Sequence, residues 1–177
     1  MRHAYFAAGC FWCVTPVFRN APGVLACVSG YSGGSEEDPR YEDVKSQKTG
    51  HRETVRVSYD EALTGWPELF DLFLENVDPF DAEGQFIDRG HSYTLAAYYE
   101  EASEREYAER ALRSLEESDG RKPAVALEPF QSFFEAEEYH QDYDLKNPEA
   151  FQKELKESGR LSRGGKAAFG ENGKEKA

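Results

Sequence analysis

The chain has little sulfur and little positive charge. Its 177 residues include three cysteines, an odd count and too few to staple a secreted disulfide scaffold. One Cys-x-x-Cys pair, beside four scattered histidines (His3, His51, His91 and His140), lacks the second ligand pair of a zinc site, so no metal is expected. Lys and Arg number 21 against 34 Asp and Glu, a formal charge of −13. That charge repels nucleic acid and anionic membrane surfaces, so neither is expected as a partner. No apolar run approaches the length of a bilayer, and no charged-then-apolar signal segment opens the chain. A cytoplasmic monomer is the expectation.

Repeats and dividing linkers are also missing. Residues 1–159 therefore read as a single domain. Residues 160–177 carry five Lys/Arg against two Glu and read as a Gly/Lys-rich, mobile tail. A hydrophobic fraction of 39% with 14% aromatics is ample for a packed core.

Strand signals fall at Tyr5–Ala8, in "GVLACVSG", in "YTLAAYY" and, most clearly, in "ETVRVSY". "AVALEPF" reads as an edge strand ended by Pro129. "VTPVFRN", "PELFDLFLEN" and "PEAFQKELKES" carry helical spacing, as does the segment behind a Ser103/Glu106 capping box. "FFEAEEYHQDY" also reads as helical. Two long polar stretches, "YSGGSEEDPRYEDVKSQKTGH" and "VDPFDAEGQFIDRGHS", read as loops, and loops of such length are often functional. The pattern predicts an α+β fold, a two-layer sandwich on one mixed sheet.

Two of the cysteines stand together in "AAGCFWC". Cys10 lies where a strand hands over to a helix, and helix-terminal N–H groups stabilise a thiolate there. Pro16 favours a helix beginning nearer Cys13 than Phe11. Two buried structural thiols explain the pair about equally well. A thioredoxin-like module fits less well, because only nine residues precede Cys10 where a βαβ pattern is needed. In "ETVRVSY", parity puts Glu53 on the face of Val55, Val57 and Tyr59. A carboxyl desolvated there becomes a general acid near neutral pH, unless it simply reaches solvent from the strand's end. Cys27, in the middle of a strand, is expected to be buried and inert.

Taken in order, "AAGCFWC", "GYSGG", "RYEDV", "TGHRE", "VSYD", "DRGHSY" and "FFEAEEYHQDY" resemble the peptide methionine-S-sulfoxide reductases, over about Tyr5 to Pro148. The resemblance implies a ferredoxin-like core and thiol chemistry without a cofactor. Cys10 matches the family's nucleophile and Glu53 its acid. Tyr41 and Tyr93 match the hydroxyls that hold the sulfoxide oxygen, and Asp88 the substrate-side polar network. Phe11 and Trp12 match the seat for the S-methyl group. Cys13 stands where relatives usually have Gly, and no cysteine follows Cys27, where many relatives carry resolving thiols. Cys13 is thus the expected resolving thiol, closing a Cys10–Cys13 disulfide that thioredoxin or another thiol reduces. Direct reduction by an external thiol is the alternative. The competing functions are a general dithiol–disulfide oxidoreductase using Cys10 and Cys13, and a binder of methionine peptides without turnover.

Overall fold

The computed structural model describes residues 1–160. Strand β1 (Arg2–Ala8) runs into Gly9, whose φ of +84° turns the chain, and α1 (Phe11–Arg19) starts with Cys10 as its N-cap. Then come β2 (Val24–Ser32), α2 (Tyr41–Lys45), β3 (Arg52–Tyr59) and α3 (Trp66–Glu75). A small hairpin, β4 (Gly84–Gln85) and β5 (Asp88–Arg89), precedes a 3-10 turn at His91–Tyr93 and strand β6 (Leu95–Tyr99). The rest is α4 (Ala102–Asp119), β7 (Val125–Pro129), β8 (Phe134–Glu135), a 3-10 turn at Glu138–His140, α5 (Tyr143–Lys146) and α6 (Pro148–Glu157).

Six strands form one sheet in the order β7-β6-β1-β3-β2-β8. Its centre, β6-β1-β3-β2, is antiparallel throughout, and with α1 and α3 it makes the ferredoxin-like βαββαβ unit. The edge strand β7 pairs with β6 in parallel, which makes the sheet mixed. The expected α+β sandwich is therefore the fold adopted. Phe6, Phe18, Val55, Val57, Phe70 and Phe73 fill the space between the sheet and its helices. On the opposite face Tyr5, Ala7, Ala96 and Tyr98 are covered by Phe130 and Phe133, with Tyr5 stacked on Phe130 at 3.9 Å.

Four local expectations are corrected. Helix α1 begins at Phe11 and keeps Pro16 inside it. An interior proline costs ~3 kcal/mol, but Phe11, Val14, Val17 and Phe18 are all buried, each contributing about 1.5–3 kcal/mol. Burial wins. The capping box uses Glu101 and Glu104, two residues earlier than Ser103 and Glu106. The first long loop contains α2. "FFEAEEYHQDY" is not helical: Phe134 pairs with Tyr31 across β8 and β2, and a 3-10 turn follows. Its carboxylates do not supply an apolar stripe, so pairing with a free sheet edge prevails. Of the tail expectation, residues 161–177 lie outside the described residues. Arg160, its first residue, is 6% exposed.

Candidate active site

The site assembles where β1 ends and α1 begins. Glu53, on β3 opposite Tyr31, is 1% exposed, and its Oε2 accepts the N–H of Phe11 at 3.0 Å. That bond satisfies one of the donors a helix N-terminus leaves free. Burial nevertheless dominates, and with the charges of Asp88 and Cys13 it pushes the Glu53 carboxyl up to about 8. At neutral pH Glu53 is a carboxylic acid with a proton to give.

Cys10 and Cys13 are both reduced and buried, with Phe151 and Leu155 of α6 packed behind them. One turn of helix brings the thiols into hydrogen-bond contact, with Cys10 donating to Cys13. The donated bond, then burial and the negative charges of Cys13, Glu53 and Asp88, push the Cys10 thiol well up. Cys13 goes down, chiefly because it accepts that bond. The Arg160 guanidinium pulls the same way, against burial and the charges of Glu154 and Asp88. Of the two thiols, Cys13 is the one that gives up its proton more readily.

The other expected residues converge on the same place. Tyr41 opens α2, and Tyr93 ends the 3-10 turn after β5. Burial raises both phenols, helped by the charges of Glu53 and Cys10, so both stay neutral donors. Asp88 is raised by burial and opposed by Arg160. Phe11 is 1% exposed and belongs to the core, 6.0 Å from the Tyr31 ring centre. Trp12 is half-buried. It stacks flat on Tyr143 at 3.7 Å and donates its indole N–H to His140 Nδ1 at 3.1 Å.

Three contributors were not read from the sequence. His140 is kept neutral by burial, and its ring contacts Phe11, Trp12 and Tyr41. Tyr143 is held in place because Arg19 bonds both flanking carboxylates, Asp142 at 2.9 Å and Asp144 at 2.8 Å. Arg160 is the third. His140 and Tyr143 lie in "YHQDY", where the resemblance assigns them no role; Arg160 carries no signal beyond its charge. A groove of about 510 Å³ between the end of α1 and α3, lined by Val17, Leu63, Leu69 and Leu72, holds none of these residues. Among the described residues no cluster of His, Cys, Asp or Glu is placed to hold a metal, and no helix is long and apolar enough to cross a membrane.

Two thiols in contact, one proton-bearing carboxylic acid and an aromatic wall define a thiol-based redox centre. Residues 2–169 match the family model described as peptide methionine sulfoxide reductase. The Peptide methionine sulfoxide reductase MsrA of Bacillus licheniformis is 43% identical over 150 residues, 84% of this chain and 83% of that one. Mxr1 from Saccharomyces cerevisiae in reduced form superposes with a TM-score of 0.76 at 30% identity, covering 84% of this chain and 86% of the other. Mxr1 from Saccharomyces cerevisiae in complex with Trx2 gives a TM-score of 0.52 at 19% identity, covering 80% and 84%, a likeness of fold. This chain belongs to the peptide methionine sulfoxide reductase family. It is an oxidoreductase that reduces methionine sulfoxide with a cysteine pair.

Proposed function

We propose that Cys10 is the nucleophile and Glu53 the acid in reducing the S epimer of methionine sulfoxide, free or within proteins. The observation that carries this reading is the buried, protonated Glu53 bonded to the Phe11 N–H one residue from the Cys10 thiol. Disulfide exchange needs no such acid, whereas a sulfoxide oxygen must be protonated as it leaves sulfur. This argues against a general dithiol–disulfide oxidoreductase.

In the first half-reaction the Cys10 thiolate attacks the sulfoxide sulfur, leaving the pair's shared proton on Cys13. Glu53 gives its proton to the oxygen, while the Tyr41 and Tyr93 hydroxyls donate hydrogen bonds to it. Trp12, braced by Tyr143 and His140, and the edge of Phe11 seat the S-methyl group. In the adduct so formed the hydroxyl passes from the substrate sulfur to the Cys10 sulfur as the new S–S bond and the old S–O bond both break, so the thioether leaves and Cys10 carries the oxygen as sulfenic acid. Asp88 fixes the polar rim. In the second half Cys13 closes a disulfide with Cys10, within reach because one helical turn already joins them. A thioredoxin-type dithiol of the cytoplasm then reduces it. The contact between the two thiols supports Cys13 over an external thiol as the resolver.

The test is an assay on both sulfoxide epimers with dithiothreitol, followed by mass spectrometry after one turnover without reductant. The expected results are S-selective turnover, loss of it in Cys10→Ser, and a Cys10–Cys13 disulfide. Appreciable turnover by Cys10→Ser ends the mechanism. A dimedone-trappable Cys10 with Cys13 still free ends the resolving role.

A further inference from the structure

Arg160 lies 150 residues from Cys10 in sequence and beside it in space. Its Nη2 donates to the Ala8 carbonyl at 2.7 Å, and its Nη1 to the Asn76 carbonyl at 3.3 Å. A Cβ on Gly9 would meet Nη2 at 2.6 Å, so the guanidinium rests directly on the turn that delivers Cys10. Its plane covers the Phe86 ring, 4.8 Å from the ring centre. Among the described residues no carboxylate pairs with it, and its Nε is buried without a hydrogen-bond partner. Its charge therefore acts on carbonyl oxygens, on the nearby Asp88 carboxyl and on negative charge arising at the thiols.

We propose that Arg160 is a positioning residue for disulfide closure: anchored on the Ala8 and Asn76 carbonyls over Gly9, it holds the Cys10 turn and sets its positive charge beside the thiol pair, where the attacking thiolate must form. The inference rests on the Cys10/Cys13 reading above. In this step the Cys13 thiolate forms the S–S bond while the S–O bond of the Cys10 sulfenic acid breaks. The electron pair leaves with the oxygen as hydroxide, which takes a proton to become water. The oxidising equivalent is the oxygen delivered by the sulfoxide.

The groups facing Cys13 make the need for this charge clear. Cys10 lies on its own turn, Glu53 on β3, Asp88 on β5 and Glu154 on α6, and every one is neutral or negative. After the first half-reaction Cys13 holds a proton and no longer accepts a bond from the Cys10 thiol. Arg160 then remains as the group that favours the thiolate over burial and over Asp88 and Glu154.

Two variants separate charge from packing. Arg160→Gln keeps donors for the Ala8 carbonyl without the charge, and Arg160→Lys keeps the charge. The measurement is the rate of Cys10–Cys13 disulfide formation after a single turnover, from pH 6 to 10. In Arg160→Gln the midpoint should rise by roughly one pH unit and the rate at pH 7 fall about tenfold, the size of one nearby opposite charge. Arg160→Lys should stay within about twofold of wild type. Thiolate absorbance at 240 nm in Cys10→Ser, with and without Arg160→Gln, should show the same shift at Cys13. An unchanged midpoint in Arg160→Gln, or equal loss in both variants, overturns the charge role. If wild type forms no Cys10–Cys13 disulfide, the earlier reading has failed, and this one with it.

Discussion

Glu53 shows how one residue's environment sets its chemistry. Its folded pKa of about 8 stands above the ordinary 4.5, so between those values the native state holds a proton that the unfolded chain has lost. Stability is therefore fully present below about pH 4.5, falls as pH rises to about 8, and is level above that. Glu53→Gln keeps the neutral shape and a carbonyl for the Phe11 N–H. It should therefore gain on wild type by a few kcal/mol at pH 9 and by little at pH 4.5, read from urea midpoints. The same variant should slow methionine formation roughly 10²-fold in a single turnover, while wild-type activity should decline above about pH 8. A wild-type rate in Glu53→Gln would mean the proton comes from elsewhere. Strand parity makes Glu53 a candidate, and the resemblance to the reductases singles it out as the acid. Cys27 is half-buried in β2 where full burial is expected from its place in a strand, and burial pushes its thiol up to about 12. It should alkylate slowly at pH 8, and Cys27→Ala should keep activity. Arg160 was illegible, because nothing local distinguishes it from the other cations of a basic end.

At the scale of elements, the sheet edge matters most to the site. Gly30, in "GYSGG", sits within β2 facing Glu135 of β8. Its role is close approach: a Cβ there would overlap the Phe133 ring and the Phe134 carbonyl oxygen. Gly33 is the turn residue, with φ of +92°. Just after β8 the chain is pinned to β2 again. Gln141 accepts the Ser29 N–H at 2.9 Å and donates to the Ser29 carbonyl at 2.9 Å. These bonds deliver His140 to Trp12. Gly30→Ala should therefore loosen β8, cost roughly 1–3 kcal/mol as overpacking does, and lower kcat/KM through Trp12. Glu37→Ala, at an exposed position of the loop after β2, is the control and should leave kcat/KM unchanged. The long strands and helices were legible because each buries one face over several residues. "FFEAEEYHQDY" was not, since its two-residue strand exists only because β2 offers an unpaired edge.

At the scale of the whole molecule, the fold closes its thiol site with the two ends of the described chain. The ferredoxin-like unit leaves β1 central, so its C-terminal end and Cys10 open between α1 and whatever packs on it. That cover is α6, whose Phe151 and Leu155 are each 2% exposed against Cys10 and Cys13. No sequence pattern links residue 10 to residue 155, although the amphipathic spacing of α6 did say that one face must be buried somewhere. Burial behind the pair has two consequences. It excludes water from the sulfenic acid, and it raises the cost of any charge that Arg160 does not offset. Leu155→Ala should cost about 2–5 kcal/mol, within the 5–15 kcal/mol typical of a folded domain, so the protein should remain folded in the cold. Opening that cover should then speed alkylation of Cys13 by iodoacetamide about tenfold or more. Cys27, on β2 away from α6, should label at its wild-type rate in the same experiment. Equal acceleration at both cysteines would mean that the variant unfolds globally and that α6 has no local shielding role. Unchanged Cys13 labelling would mean that reagent reaches the pair from the substrate side alone.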